Sequence, residues 1–120
     1  MSSLSSEAPP QLFVVRNRRG GAYDRKLSSQ EQLDWDAHAR FMNHLLEDGA
    51  VLIGGPLDGD RETLLLLRAR SLEALRRRLG NDPWIQNGML TLVSIELLLP
   101  GITPDWLDAG LAANALADEP

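Results

Sequence analysis

The sequence predicts an α+β fold of element order β-α-β-β-α-β, two interleaved βαβ units that form a four-stranded antiparallel sheet with two helices on one face. Three observations carry that expectation. Four apolar runs, Leu12 to Val15, Ala50 to Ile53, Thr63 to Ala69 and about Met89 to Leu99, have the length and composition of strands. Two stretches of helical spacing lie between them, each opened by serine and closed by glycine. The segment Leu57 to Arg61, L-D-G-D-R, joins the second and third runs through Asp58 and Gly59, residues that tolerate hairpin geometry. With 120 residues and 43% hydrophobic content, the chain is one domain whose core needs no staple.

Taken in order, positions 1–10 are rich in serine and proline and are expected to be a flexible arm. The domain proper spans 11–100, and 101–120 form a C-terminal helical extension. After the first strand, Arg16 to Lys26 reads as a basic, solvated loop, with a phosphate-clasping role for Arg16, Arg18 and Arg19 as the competing reading; Gly20 and Gly21 lack the spacing of a nucleotide-binding turn. Ser28 with Glu31, or Ser29 with Gln32, offers a capping box for the first helix, whose buried face takes Leu33, Ala37, Phe41 and Leu45. Gly49 ends it. Ser71 caps a second helix through Leu79, with Leu72, Leu75 and Leu79 inward and Arg76, Arg77 and Arg78 partly outward. Pro100 stops the last strand, and Thr103 to Ala117 reads as a third helix with Pro104 in its first turn. Its Trp106 and Leu107 should pack against this subunit or a partner.

Composition narrows the function. A net charge of −5 argues against a broad nucleic-acid footprint, which needs a concentrated positive surface. Without cysteine there is no thiol nucleophile, disulfide or thiolate metal site. The first residues do not resemble a leader and no apolar run reaches membrane-spanning length, so a soluble cytoplasmic protein without a membrane partner is expected. Val51 to Ile53 and Leu64 to Leu67 are apolar at successive positions, whereas a sheet with one wet face should alternate. A homodimer packed through the sheet faces is the simplest cover. The C-terminal helix is the competing one.

At helical spacing Trp35, His38, Phe41, Met42 and Leu45 share one side, so a titratable imidazole sits within an apolar stripe. The helix then feeds a strand that ends in Gly54, Gly55 and Pro56, where the backbone is nearly bare. The first strand F-V-V-R, the stretch H-A-R-F-M-N-H-L-L-E-D-G-A-V-L-I-G-G-P, the tag L-D-G-D, the segment S-L-E-A-L and D-P-W-I-Q-N-G-M-L resemble, in that order and spacing, the YCII-related (YciI-like) family over Leu12 to Leu99. That resemblance implies a ferredoxin-like subunit of the dimeric α+β barrel type, with an active site built on a histidine and an aspartate. They fall on His38 and on Asp82; His44 does not match.

The chemistry has its own logic. A carboxylate that accepts one imidazole N–H fixes the tautomer and frees the other nitrogen as general base or acid. His38 would be that base and Asp82 its orienter; Gly54, Gly55 and Pro56 would let a substrate approach the main chain, and Trp35 and Trp84 would supply flat walls. The competing structural roles are a core histidine, a turn or capping aspartate before Pro83, and core tryptophans. No metal is expected, since His38 and His44 lie six positions apart on different sides of the helix, and no cofactor is implied. Two functions stay open. One is a cofactor-independent lyase or isomerase moving a proton on a small, aromatic or ring-derived molecule; the other is a non-catalytic dimeric module that binds a small ligand or a protein.

Overall fold

The computed structural model describes residues 9–59 and 61–107. In chain order these form β1 (Gln11–Arg19), a 3-10 turn (Ser29–Glu31), α1 (Trp35–Glu47), β2 (Val51–Pro56), β3 (Glu62–Ala69), α2 (Leu72–Leu79), a short α3 (Pro83–Gln86) and β4 (Leu90–Leu98). The strands make one sheet in the order β2-β3-β1-β4, antiparallel at every junction. This is the ferredoxin-like α+β arrangement expected from the element order, with α3 added between α2 and β4.

The two central strands decide where the core lies. Phe13 stands opposite Leu67 and Val15 opposite Leu65, and these four meet Leu45 of α1 and Leu75 and Leu79 of α2. Complete burial of a leucine contributes about 1.5–3 kcal/mol, so Leu45 and Leu67, which retain almost no exposed surface, are principal anchors of helix to sheet. The alternate positions Val14, Leu64 and Leu66 fall on the opposite face, with Ile53 paired beside Leu66. That second face is therefore apolar at its centre.

Three local expectations are corrected. The basic segment Arg16 to Arg19 is not loop but the second half of β1, because as a central strand it bonds neighbours on both sides whatever its side chains carry. Arg16 lies 3.7 Å from Glu62 across the ladder, while Asn17 turns to the helix side and is buried. The capping box of Ser28 and Glu31 forms, but it closes only the 3-10 turn. Accepting the Ser28 amide and hydroxyl holds the Glu31 carboxyl below its ordinary value of 4.5, so the box stabilises the fold above that value and is lost as acid protonates Glu31. The helix proper waits until Trp35, and Leu33 is left exposed. In α2, Leu72 is exposed and Arg78 is buried, since position 78 follows Leu75 by three residues and shares its face. Its guanidinium pairs with Asp48 at the end of α1.

The expected N-terminal arm lies almost wholly, and the expected third helix largely, outside the described residues; within them, Asp105 to Leu107 are helical. Trp106 is 76% exposed.

The turn after β1 is tied to the start of β4: Gly20 N–H donates to Met89 O at 2.8 Å and Ala22 N–H to Gly88 O at 3.2 Å. A Cβ on Gly20 would stand 2.1 Å from Gly88 O, whereas one on Gly21 would meet nothing within 4 Å. Gly20→Ala should therefore cost about 1–3 kcal/mol, as backbone must shift to admit it. Gly21→Ala should change stability by no more than about 1 kcal/mol, in either direction. Urea denaturation of the two variants measures both.

Candidate active site

Asp82 is the residue from which the site is built. It precedes Pro83, whose fixed φ suits a first helical position, and it caps α3: its Oδ1 accepts Trp84 N–H at 2.9 Å. The same oxygen lies 2.8 Å from His38 Nδ1. Capping aspartate and histidine partner, alternatives by sequence, are thus one group performing both tasks. The His38 ring stacks on Trp84 with centroids 4.0 Å apart and planes 4° from parallel. Trp35 touches both rings, at 6.0 Å from His38 and 5.6 Å from Trp84, and Tyr23 meets Trp84 edge-on at 6.1 Å.

Further bonds clamp α3 to the beginning of α1. Trp84 Nε1–H donates to Leu33 O at 2.8 Å and Asn87 Nδ2–H to Asp34 Oδ2 at 3.0 Å. Asp34 adopts φ 62° immediately before the helix, a left-handed conformation that costs a residue with a side chain on the order of 1–3 kcal/mol. It makes no side-chain cap; its carboxylate serves the bond to Asn87 instead. The preceding loop is held by buried Gln32, which accepts from Asp24 N–H at 3.0 Å and donates to Asp24 O at 2.6 Å. Tyr23 is fixed by its hydroxyl, 3.0 Å from Ser29 Oγ.

The fold therefore brings together four of the residues singled out by sequence, Trp35, His38, Asp82 and Trp84. With Asp82 as a carboxylate accepting Nδ1–H, the imidazole presents Nε2 as an acceptor, and a proton taken there leaves a cation beside the carboxylate. The His38 side chain keeps 12% of its surface exposed. Trp35 also borders an open cavity of about 370 Å³ shared with Gln30, Asp34 and Arg40. Gly54, Gly55 and Pro56 lie on β2, paired with Leu65, Leu64 and Thr63. A Cβ on Gly54 would stand 2.4 Å from Leu65 Cδ2, so the missing side chain makes room for the core there; Gly55 faces open space. His44 is exposed. Among the described residues no three potential ligands cluster as a metal site.

Tyr23, Gln32 and Asn87 belong to the same constellation and were not legible as such. The one available signal was Tyr23, the chain's single tyrosine, set beside two glycines in a basic stretch.

No family model matches the sequence, and no curated protein does. Among solved structures the chain is similar to 5-chloro-2-hydroxyhydroquinone dehydrochlorinase from Burkholderia phenoliruptrix AC1100, in complex with 2,5-dihydroxybenzoquinone. The TM-score is 0.51 at 21% identity, over 75% of this chain and 95% of that one. The two share a fold.

Removing the Asp82 carboxyl should both uncap α3 and leave the half-buried imidazole without its partner. Asp82→Ala is expected to cost about 2–4 kcal/mol, the sum of a lost cap and an unpaired, half-buried donor. Asp82→Asn, which can still accept both bonds, should cost less than about 1 kcal/mol. Chemical denaturation measures the difference, and equal losses would show that the shared oxygen holds nothing together.

Proposed function

We propose that this chain is a cofactor-independent lyase or isomerase acting on a small, ring-derived molecule, with His38 as general acid and base and Asp82 as the residue that positions it. The observation that carries the reading is the single oxygen of Asp82 bound at once to an amide of its own helix and to His38. A carboxylate so anchored cannot swing with the ring, and it holds the imidazole in one tautomer. In the forward step Nε2 takes a proton from a substrate C–H or O–H, and the electrons of that bond move into the ring system. A lyase releases a leaving group with its electron pair; an isomerase returns the proton at another atom. Trp35, whose ring is 6.0 Å from that of His38 and which lines the 370 Å³ cavity, supplies a flat wall for a ring. The resemblance to the YCII-related family and the likeness in fold to a dehydrochlorinase that binds a dihydroxybenzoquinone support this substrate class.

The stack of His38 on Trp84 favours a second reading, a ligand-binding module in which the histidine is structural. The two separate on turnover. Against a panel of hydroxylated and chlorinated hydroquinones, His38→Asn should remove activity by about 10²-fold or more. Asp82→Asn should lower it as well while preserving the fold, and His44→Asn should leave it unchanged. Full activity in His38→Asn ends the catalytic reading; binding of panel members without turnover in the unmodified chain establishes the second.

The same proposal includes a homodimer through the sheet face that carries Val14, Leu64 and Leu66, with an interface of at least about 1,600 Å². Light scattering should give twice the chain mass, and Leu66→Lys should halve it or unfold the protein. A monomer for the unmodified chain would remove this part.

A further inference from the structure

The cavity at the start of α1, about 370 Å³, lies within the ~300–1,000 Å³ that small-molecule sites occupy. Its aromatic wall is Trp35, whose ring is 6.0 Å from that of His38. The rest of the lining is almost wholly polar, with Gln30, Gln32, Asp34, Asp36 and Arg40. Two of these groups are committed to the fold. Gln32 bonds Asp24 through both its carbonyl and its amide, and Asp34 Oδ2 accepts from Asn87.

Asp36 and Arg40 have no such task. They stand one turn apart on α1 with the acid N-terminal to the base, a spacing at which such residues pair across a helix surface. Neither enters an ion pair among the described residues. A carboxylate and a guanidinium therefore face one cavity, beside an indole, without neutralising each other.

We propose that Asp36 and Arg40 are specificity-determining residues of the site beside His38: they select a ring that carries neighbouring uncharged hydroxyl groups and turn away the same ring when it carries a carboxylate. The inference rests on the reading of that site as one for a small, ring-derived molecule. A hydroxyl both donates and accepts, so that of two neighbouring hydroxyls one donates to Asp36 while the other accepts from Arg40. Both bonds are charge-assisted, the stronger kind. A carboxylate on the ring has no proton to donate near neutral pH, and in this cavity it meets two acids, Asp34 and Asp36, for one guanidinium. Such a repulsive element discriminates against a competitor alongside the contacts that admit the right ligand. The indole of Trp35 offers the ring an apolar face.

Isothermal titration of the full chain under nitrogen, with catechol and with 3,4-dihydroxybenzoate, tests the proposal without requiring turnover. Catechol should bind saturably and the acid about fivefold or more weakly, as for one unfavourable charge contact near a solvated surface. Asp36→Asn should shrink that preference to about twofold or less. Arg40→Gln should weaken catechol about tenfold, as for loss of a charged hydrogen-bond donor, and Arg40→Lys should restore most of the affinity. Glu73→Gln, which removes an exposed carboxylate of α2 outside the cavity, should leave the preference as it is. Asp36 and Arg40 are exposed, so their variants should keep the melting temperature of the parent, which circular dichroism checks. Absence of saturable catechol binding, equal binding of the acid by the unmodified chain, or an equal effect of Glu73→Gln and Asp36→Asn overturns the proposal. Its failure is separable from that of the catalytic reading. His38-dependent turnover with catechol and the acid bound alike removes this inference alone, whereas the predicted preference in a chain that turns over no hydroxylated ring removes catalysis and leaves the selectivity standing.

Discussion

One oxygen atom of Asp82 couples the two halves of the molecule. It accepts the amide of Trp84, which starts α3, and it meets Nδ1 of His38, which belongs to α1. The indole that α3 thereby presents lies flat on the imidazole and donates to Leu33. A buried carboxylate with both partners in place is satisfied; with either removed it becomes a desolvated acceptor without its donor, which is why such groups are costly to disturb. The rest of the neighbourhood, the left-handed Asp34, the bond from Asn87 and the edge-on Tyr23, keeps α3 against α1 so that this oxygen stays where both donors need it.

Much of the fold could be read before any coordinates because its signals are local. The unbroken leucine run of β3, Gly49 at the end of α1 and Ser71 at the start of α2 each act within one turn or one strand. The errors arose where a neighbour overrode the local signal. Arg16 to Arg19 are strand because β3 and β4 flank them and supply hydrogen bonds on both sides, a fact that polar side chains conceal. The capping box at Ser28 was recognised, yet it closes a single turn, because Asp34 then takes a backbone conformation that no propensity for aspartate at that place announces. Arg78 is buried because Asp48, thirty residues earlier, gives it a partner.

The site divides the same way. His38 and Trp35 could be placed on one helical face by spacing alone, and Asp82 before Pro83 was recognisable as a cap. Their convergence was not derivable from spacing, since it rests on α2 returning the chain over the sheet; the family resemblance supplied that pairing. A bare backbone at Gly54 reads equally as an opening for a ligand or as a recess for a neighbouring side chain; Leu65 Cδ2 occupies the recess there, while Gly55 beside it faces open space.

The bond from Trp84 N–H to Asp82 has a consequence for how the histidine's setting can be observed. That amide is bonded to a side chain at the first turn of a four-residue helix, so its protection from solvent exchange depends on Asp82 staying in place and on little else. The loop it helps to close joins residues 44 apart, and a contact of that span exists only while the intervening strands and helix are docked. Deuterium uptake at this single backbone position thus tracks the fraction of molecules in which His38 has its carboxylate, and it does so without any substrate being known.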